Sequence, residues 1–263
     1  MTGRTDRTKS AAAPGEAPAD AFGRTAREYE LGRPEWPEEL LDAVAAELGL
    51  GPDAEVLDLG AGTGKLTRAL VPRFARVVAV EPDAAMRSVL EEVVPGAVGR
   101  VGSAESIPLG DGEVDAVFSG EAFHWFAHDD ALAEIVRVLR PSGGLVILWN
   151  YPLEYEMLGD EADALIDAAV ERGGQPGLPR VLSGDWRGPI ERAGFEELRE
   201  ESLERDLVRD RDAWIANMLS VSSIAHQPQD DRDELACRLR ELIPADREIR
   251  NPVRTVAYWT RRA

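Results

Sequence analysis

VLDLGAGTG, at residues 56–64, joins an apolar run to a loop of alternating glycines. The apolar half predicts a buried strand over 55–59, and the spacing of apolar residues predicts a helix from Lys65 to Phe74. Glycines can adopt positive φ angles and let a backbone approach a ligand closely. Because open α/β sheets bind ligands at the carboxyl ends of their strands, this loop is a candidate binding site.

Outward from this loop, short apolar strands alternate with amphipathic helices. Further strands are predicted over 76–80, 97–101, 114–119 and 145–149. Further helices are predicted over 37–50, 84–93 and 130–139. This alternation is typical of a mainly parallel sheet with helices on both faces.

The two ends of the chain are less regular. Beyond residue 150 we predict helices over 160–171, 186–193, 212–221 and 231–243, strand character over 195–207 and a last strand over 255–258. Residues 1–20 have almost no large apolar side chain, so burial cannot offset the entropy of ordering them. We therefore predict a disordered tail over 1–20 and one domain over 21–263.

The composition excludes several classes of partner. The formal net charge of −19 repels phosphate backbones, so no nucleic-acid partner is expected. No stretch is long and apolar enough for a membrane span or a signal peptide. The single cysteine, Cys237, forbids an internal disulfide, and we expect a cytoplasmic protein.

The preference for arginine over lysine, with many alanines, glycines and prolines, predicts a high-GC bacterial source.

Glu81 directly follows the predicted strand 76–80. It comes roughly 20 residues after Gly60, the spacing at which an acidic residue binds the hydroxyls of an adenosine ribose. A solvated loop carboxylate is the alternative. The dinucleotide pattern G-x-G-x-x-G fails because the third glycine, Gly64, comes one residue early, and the phosphate-binding G-x-x-x-x-G-K-[ST] fails because Leu66 follows Lys65.

Several motifs in order now point to one family. Residues 56–67 resemble motif I of the class I, Rossmann-like S-adenosylmethionine (SAM) methyltransferases, and further motifs match at 78–83, 103–109, 114–117 and 139–144. Within this superfamily, residues 29–37 and EAFHWF at 121–126 resemble the type 11 group, near the trans-aconitate methyltransferase-like branch. The resemblance implies an α/β, Rossmann-like, seven-stranded and mainly parallel sheet with helices on both faces and an antiparallel last strand.

The resemblance also implies where SAM binds. Gly60, Ala61 and Gly62 line its methionine part, and Asp58 faces its ammonium group directly or through water. Glu81 holds the ribose.

The adenine end is expected further along the chain. Pro82 and Met86 pack near the adenine. Many relatives carry Asp where this chain has Ser103, so the adenine contact is expected mainly from the backbone of Ala104 and Glu105.

Two segments are expected to close over the cofactor. Glu121 and Ala122 lie at its sulfonium end. Arg33, with Tyr29, caps it, because a guanidinium suits the cofactor carboxylate; a surface ion pair is the alternative for Arg33.

The residues that bind the methyl acceptor are harder to identify from the sequence. His124 is a candidate general base or acceptor contact, with a structural hydrogen bond as the alternative. Trp125, Trp149 and Tyr151 offer aromatic surface for an acceptor, as do Phe126 and Tyr155, although core packing also accounts for such rings. Residues 150–190 interrupt the sheet pattern and are the candidate acceptor-binding insertion.

We therefore predict a SAM-dependent methyltransferase that modifies an O or N atom of a small molecule, with a carboxylate or a secondary metabolite as candidate acceptor. No metal site is expected, because the three histidines lack cysteine partners. An NAD(P)-dependent oxidoreductase and a non-catalytic cofactor-binding protein are the alternatives. The first lacks the third glycine and any catalytic lysine downstream of Lys65.

Overall fold

The computed structural model describes residues 26–153, 156–174 and 178–263. Its strands are β1 (Glu55–Leu59), β2 (Arg76–Val80), β3 (Val98–Arg100), β4 (Val114–Gly120), β5 (Leu139–Pro152), β6 (Arg199–Asp210) and β7 (Glu248–Arg261). They form one seven-stranded sheet of order β3-β2-β1-β4-β5-β7-β6. The strands from β3 to β5 are parallel, and β7 runs antiparallel to both of its neighbours. The predicted fold class is confirmed.

Helices connect and cover these strands. They are α1 (Ala26–Gly32), α2 (Glu38–Glu47), α3 (Lys65–Leu70), α4 (Ala84–Val93), α5 (Asp129–Val138), α6 (Asp160–Gly173), α7 (Leu178–Ser183), α8 (Arg187–Arg192), α9 (Arg211–Leu219), α10 (Ser222–Ala225) and α11 (Gln229–Leu242). A short 3₁₀ turn, Phe123–Trp125, follows β4. Among the described residues, no helix is long and apolar enough to cross a membrane.

The central strands β1, β2, β4 and β5 are buried on both faces, as the apolar runs predict. Along β5, Leu145, Ile147 and Trp149 join a hydrophobic cluster with α5 and α8. Val146 and Leu148 point the other way and join a cluster with α2 and α3. Since successive side chains of a strand face opposite sides, this alternation places helices on both faces of β5.

Two strands are longer than predicted. The predicted strand 145–149 belongs to β5, which already begins at Leu139, because Leu139 pairs with Val114 before the register of β4 and β5 shifts. The turn signals at 141–144 therefore produce an irregularity within the strand, where Ser142 has a φ of 61°. The predicted strand 255–258 belongs to β7, which pairs along most of its length with β5 or β6.

A third hydrophobic cluster lies among α6, α9, α10 and α11, which we call the helical cap. Helix α1 packs closely on α9, because a Cβ atom at Gly32 would lie 2.1 Å from the backbone nitrogen of Asn217. The predicted insertion 150–190 thus supplies one cap helix, α6, while the others come from residues 211–242. The predicted tail 1–20 and Tyr155 lie outside the described residues.

Candidate active site

A cavity of about 620 Å³ lies at the carboxyl ends of β1, β2, β4 and β5, beside α1 and the helical cap. Most of the predicted site residues line it: Tyr29, Arg33, Gly60, Gly62, Glu81, Pro82, Met86, Ser103, Ala104, Glu105, Glu121, Ala122, His124, Trp125, Trp149 and Tyr151. Phe126 also lines it, whereas Asp58 and Ala61 line a small adjoining cavity of about 30 Å³. The fold therefore brings all of these residues to one region.

The glycine loop forms one wall of the cavity. The backbone N–H groups of Gly60 and Ala61 donate to the carbonyl of Val80, at 2.9 and 3.1 Å, and hold the loop against β2. Gly62 has a φ of +57°, and a Cβ atom there would meet nothing within 4 Å. The loop thus leaves open space beside Gly62 that a ligand can occupy.

Glu81 lies at the end of β2, with both carboxylate oxygens held by the backbone. One oxygen accepts the N–H of Gly62 and the other accepts the N–H of Asp83, each at 2.9 Å. Burial raises the pKa of Glu81, while these two bonds lower it. Each oxygen keeps a further lone pair, so the carboxylate can still accept two hydroxyl groups.

Asp58 is fully buried in β1. Its Oδ2 accepts a hydrogen bond of 2.6 Å from the hydroxyl of Thr67, whereas its Oδ1 is buried without a partner among the described residues. Burial raises the pKa of Asp58 to about 7. A buried carboxylate oxygen without a donor is costly, so this position suits a ligand that brings positive charge and N–H groups.

Arg33 closes the cavity from the end of α1. Its Nη2 donates to the carbonyl of Ser220 in the cap, at 3.0 Å, and its guanidinium lies over the ring of Tyr29. Its Nε is buried without a partner among the described residues. Burial raises the pKa of Tyr29 to about 12, so this ring is uncharged at neutral pH. Arg33 therefore keeps a donor available for an anionic ligand group.

Glu121 occupies the first position after β4 and has a φ of 58°, a region that side chains other than glycine rarely adopt. Its Oε1 accepts the backbone N–H of Asn150 at 2.8 Å. The side chain of Asn150 is oriented in turn by Thr255, whose hydroxyl donates to its Oδ1 at 2.6 Å. Strained backbone of this kind is concentrated at binding sites.

The far end of the cavity is apolar with a polar rim. Met86 and Ala104 are almost fully buried and line it together with Pro82. At the rim, a carboxylate oxygen of Glu105 lies 2.9 Å from Nε2 of His128. This shape suits a flat heterocycle between apolar walls.

His124 lies in the 3₁₀ turn after β4. Its Nδ1 lies 3.2 Å from Nε1 of Trp149, and its ring lies 4.8 Å from that of Trp125. Burial lowers the pKa of His124 to about 4, with further contributions from Arg180 and Arg33. The ring is therefore neutral at neutral pH and a weak base, which disfavours the general-base prediction and leaves the structural hydrogen bond, seen with Trp149, and an acceptor contact.

Comparisons with known proteins agree on one family. Residues 57–147 match the family described as a methyltransferase domain. An uncharacterized methyltransferase of Schizosaccharomyces pombe is 32% identical over 251 residues, which cover 90% of this chain and 96% of that protein. A solved structure from Anaeromyxobacter dehalogenans, named as a type II methyltransferase, has a TM-score of 0.63 at 28% identity and covers 87% of this chain and 97% of its own.

This chain belongs to the class I SAM-dependent methyltransferases. Its cofactor is SAM, which decides against the oxidoreductase alternative. A malonyl-[acyl-carrier protein] O-methyltransferase of Methylococcus capsulatus is also similar, at 45% identity over 100 residues that cover 36% of each chain. These matches support the superfamily and not the trans-aconitate branch in particular.

The cavity of this methyltransferase fits SAM on its own geometry. The unpartnered Oδ1 of Asp58 suits an ammonium group, and the unpartnered Nε of Arg33 suits a carboxylate. The open space beside Gly62 leaves room for the chain between these groups and the ribose. Among the described residues, no cluster could hold a metal ion.

Sequence reasoning missed part of the cavity wall. Val181 comes from α7, and Val221 and Ser222 come from the junction of α9 and α10. These three residues belong to no motif that would indicate a binding role, and only the packing of the cap brings them to the site. Asn150 was also missed, although its place at the end of a predicted strand, beside Trp149, could have indicated it.

Proposed function

We propose that this methyltransferase transfers a methyl group from SAM to an oxygen of a carboxylate on a small acceptor molecule. The observation that carries this proposal is the set of groups around the aromatic side of the cavity. The guanidinium of Arg180 lies over the ring of Trp125, 5.1 Å from its centroid, and both Arg180 and Arg33 act electrostatically on His124. This side of the cavity therefore favours an anionic group, although the whole chain is acidic.

The same side offers no free base among its aromatic groups. The ring of His124 is engaged by Trp149, and burial, together with the hydrogen bond to Tyr258, raises the pKa of Tyr151 above its ordinary value, so that this hydroxyl keeps its proton at neutral pH. When bound, SAM supplies a methyl group that is already activated on a positively charged sulfur. A carboxylate forms its new C–O bond without losing a proton, so this chain has only to orient the acceptor and exclude water.

Each cofactor contact is part of the proposal. Asp58 binds the ammonium group, Arg33 the carboxylate and Glu81 the ribose hydroxyls. Pro82, Met86 and the loop 103–105 enclose the adenine, while Glu121 and Ala122 lie beside the sulfonium.

The acceptor side is proposed to include β5 and α7. Tyr151 and Pro152 at the end of β5, with Val181 of α7, contribute from residues 150–190. The Methylococcus capsulatus relative is named for O-methylation of malonyl-[acyl-carrier protein], which favours a carboxylate acceptor for this chain too. A cavity of this volume suits a small molecule rather than a folded chain.

A labelled-methyl assay tests this function. The full chain is incubated with SAM labelled in its methyl group and with small carboxylic acids, and the products are then treated with alkali. Alkali hydrolyses methyl esters and releases volatile labelled methanol, whereas methyl ethers and N-methyl amines keep the label. We expect alkali-labile label; label that resists alkali contradicts carboxylate methylation.

One observation favours a second candidate, an amine acceptor. Glu121 presents a buried carboxylate to the cavity, and burial raises its pKa while Arg33 and Asn150 lower it. Such a carboxylate could bind an ammonium group and accept its proton. Alkali-resistant label on amines would support this candidate.

A further inference from the structure

The protonation state of His124 follows from its partner. The indole N–H of Trp149 can only donate a hydrogen bond, so Nδ1 of His124, 3.2 Å away, has to accept it and carries no proton. A neutral imidazole holds one proton, which must then lie on Nε2. The ring lines the cavity, and among the described residues no group accepts a hydrogen bond from Nε2.

Trp149 is held firmly enough to impose this state. It is 1% exposed and lies on β5, which pairs with β4 on one side and with β7 on the other. Its ring packs against the rings of Trp186 and Tyr258, at centroid distances of 4.8 and 5.9 Å. The indole N–H therefore keeps its direction toward His124.

We propose that His124 is a specificity-determining residue whose Nε2–H donates a hydrogen bond to an accepting oxygen of the methyl acceptor, and that Trp149 is the positioning residue that keeps the proton on Nε2. The assignment of that oxygen to a carboxylate rests on the proposed function. The direction of donation rests only on the contact between Trp149 and His124.

This arrangement selects between acceptor classes. A carboxylate has only accepting atoms and meets both the Nε2–H donor and the positive charge of Arg180 favourably. An ammonium group has only donors, so Nε2–H would face another N–H and the charge of Arg180 would repel it. The pKa of His124, lowered to about 4, keeps the ring in its neutral form over the physiological range.

Two substitutions separate donation from a purely structural role. In His124→Asn the shorter amide can accept the bond from Trp149 at the place of Nδ1, but it does not reach the place of Nε2. In His124→Gln the longer amide can place an N–H donor near Nε2. If His124 has only a structural role, a side chain that accepts the hydrogen bond of Trp149 is sufficient, and benzoate should bind more tightly to His124→Asn than to His124→Gln. If His124 donates to the acceptor, benzoate should bind more tightly to His124→Gln.

The experiment uses the full chain saturated with S-adenosylhomocysteine and labelled with ¹⁵N at histidine. Benzoate and benzylammonium serve as matched probes, because they share a ring that suits the aromatic wall and differ in their polar group. Nitrogen chemical shifts report which ring atom carries the proton, and the missing signals of His124→Asn assign His124 among the three histidines. Probe affinity is read from the shift during titration.

We expect His124 to carry its proton on Nε2, benzoate to shift that nitrogen, and benzylammonium to leave it unchanged. Benzoate affinity should fall roughly 10-fold or more in His124→Asn, the loss of one hydrogen bond to a charged group, and recover at least partly in His124→Gln. Trp149→Phe should allow the proton to populate Nδ1 as well.

Three results would overturn the inference: a proton on Nδ1 in the parent, no shift of His124 with benzoate, or equal benzoate affinity in the Asn and Gln variants. These results are distinct from a failure of the proposed function. If benzoate binds to Nε2–H but no carboxylate is ever methylated, the donor assignment stands and carboxylate methylation fails. If carboxylates are methylated equally well by His124→Asn, the function stands and the donor role fails.

Discussion

Replacement of Asp58 by Asn should stabilise the folded protein at alkaline pH and weaken its hold on the cofactor. Asp58 is fully buried, and its pKa lies near 7 in the fold instead of the usual 3.8. The carboxylate is therefore costly to ionise in the absence of a ligand. An amide of the same shape removes this cost and can still accept the hydroxyl of Thr67.

The magnitude follows from the two pKa values. One pKa unit corresponds to about 1.4 kcal/mol, so the ionised carboxylate destabilises the fold by about 4 kcal/mol above pH 7. The sign is set by the raised pKa: between about pH 4 and pH 7 the folded chain keeps a proton that the unfolded chain loses, so stability falls as pH rises. The buried amide N–H₂ without an acceptor costs about 1–3 kcal/mol at every pH. A net gain of roughly 1–3 kcal/mol remains near pH 8.

Urea unfolding of parent and variant at about pH 5 and about pH 8 measures this difference. The variant should gain about 2–3 kcal/mol relative to the parent between these two conditions. Asp53→Asn is the matched control, because Asp53 is an exposed carboxylate just before β1 and should show little change. A stability difference between Asp58→Asn and the parent that does not change with pH would refute the account.

Asp58→Asn should weaken cofactor binding, although it stabilises the fold at alkaline pH. An ammonium group opposite Asp58 favours its ionised form, so S-adenosylhomocysteine should release a proton on binding near neutral pH, and calorimetry in buffers of different ionisation enthalpy detects this. Asp58→Asn should abolish the release and weaken binding about 10–100-fold. Unchanged affinity in the variant would remove Asp58 from the cofactor site.

Two further predictions concern α1. Gly32→Ala should lower the thermal unfolding temperature, because its Cβ would overlap the backbone of Asn217, whereas Gly51→Ala meets no atom within 4 Å and should have little effect; equal effects of the two would contradict the packing of α1 on α9. Lys65→Met removes the ion pairs with Glu30 of α1, at 3.6 Å, and with Glu35 just beyond α1, at 2.7 Å, and should speed the release of S-adenosylhomocysteine in stopped-flow measurements. An unchanged release rate would show that these two contacts do not hold α1 over the cofactor.

Several elements around the glycine loop could be predicted from local sequence alone, although α3 ends at Leu70 and not at the predicted Phe74. The observed bounds of β1, β2 and α4 are the predicted ones, 55–59, 76–80 and 84–93. Each of these strands is an apolar run bounded by turn-forming residues, and α4 begins at Asp83, whose side chain accepts the N–H groups of Ala85 and Met86. Such signals lie within a few residues of the element that they define.

The remaining elements depend on contacts between distant residues. Pro252 lies inside β7 although proline is unusual there, and the pairing of β7 with both β5 and β6 overrides this local signal. The strand predicted over 195–207 begins later, at Arg199, and extends to Asp210 for the same reason. Helix α1 was not predicted as a helix, and it is held by its packing on α9.

The site residues also divide into those that local sequence predicts and those that depend on contacts between distant residues. Glu81 and Gly62 could be predicted to act together because both follow strands that are neighbours in the sheet, and the structure joins them through one hydrogen bond. Which ring nitrogen of His124 carries the proton could not be predicted, because it depends on the contact with Trp149 of the adjacent strand β5. Val221 of the cap gave no signal, because an apolar residue in a helix junction is common throughout the chain.

Isothermal titration calorimetry with S-adenosylhomocysteine and NAD tests the central claim most directly. We predict saturable heat at one S-adenosylhomocysteine per chain and no heat from NAD. Glu81→Ala should weaken the binding of S-adenosylhomocysteine roughly 100-fold, because the carboxylate proposed to accept the two ribose hydroxyls is lost, while thermal unfolding verifies that the variant is folded. Binding of NAD without binding of S-adenosylhomocysteine, or undiminished affinity in a folded Glu81→Ala variant, would contradict the account.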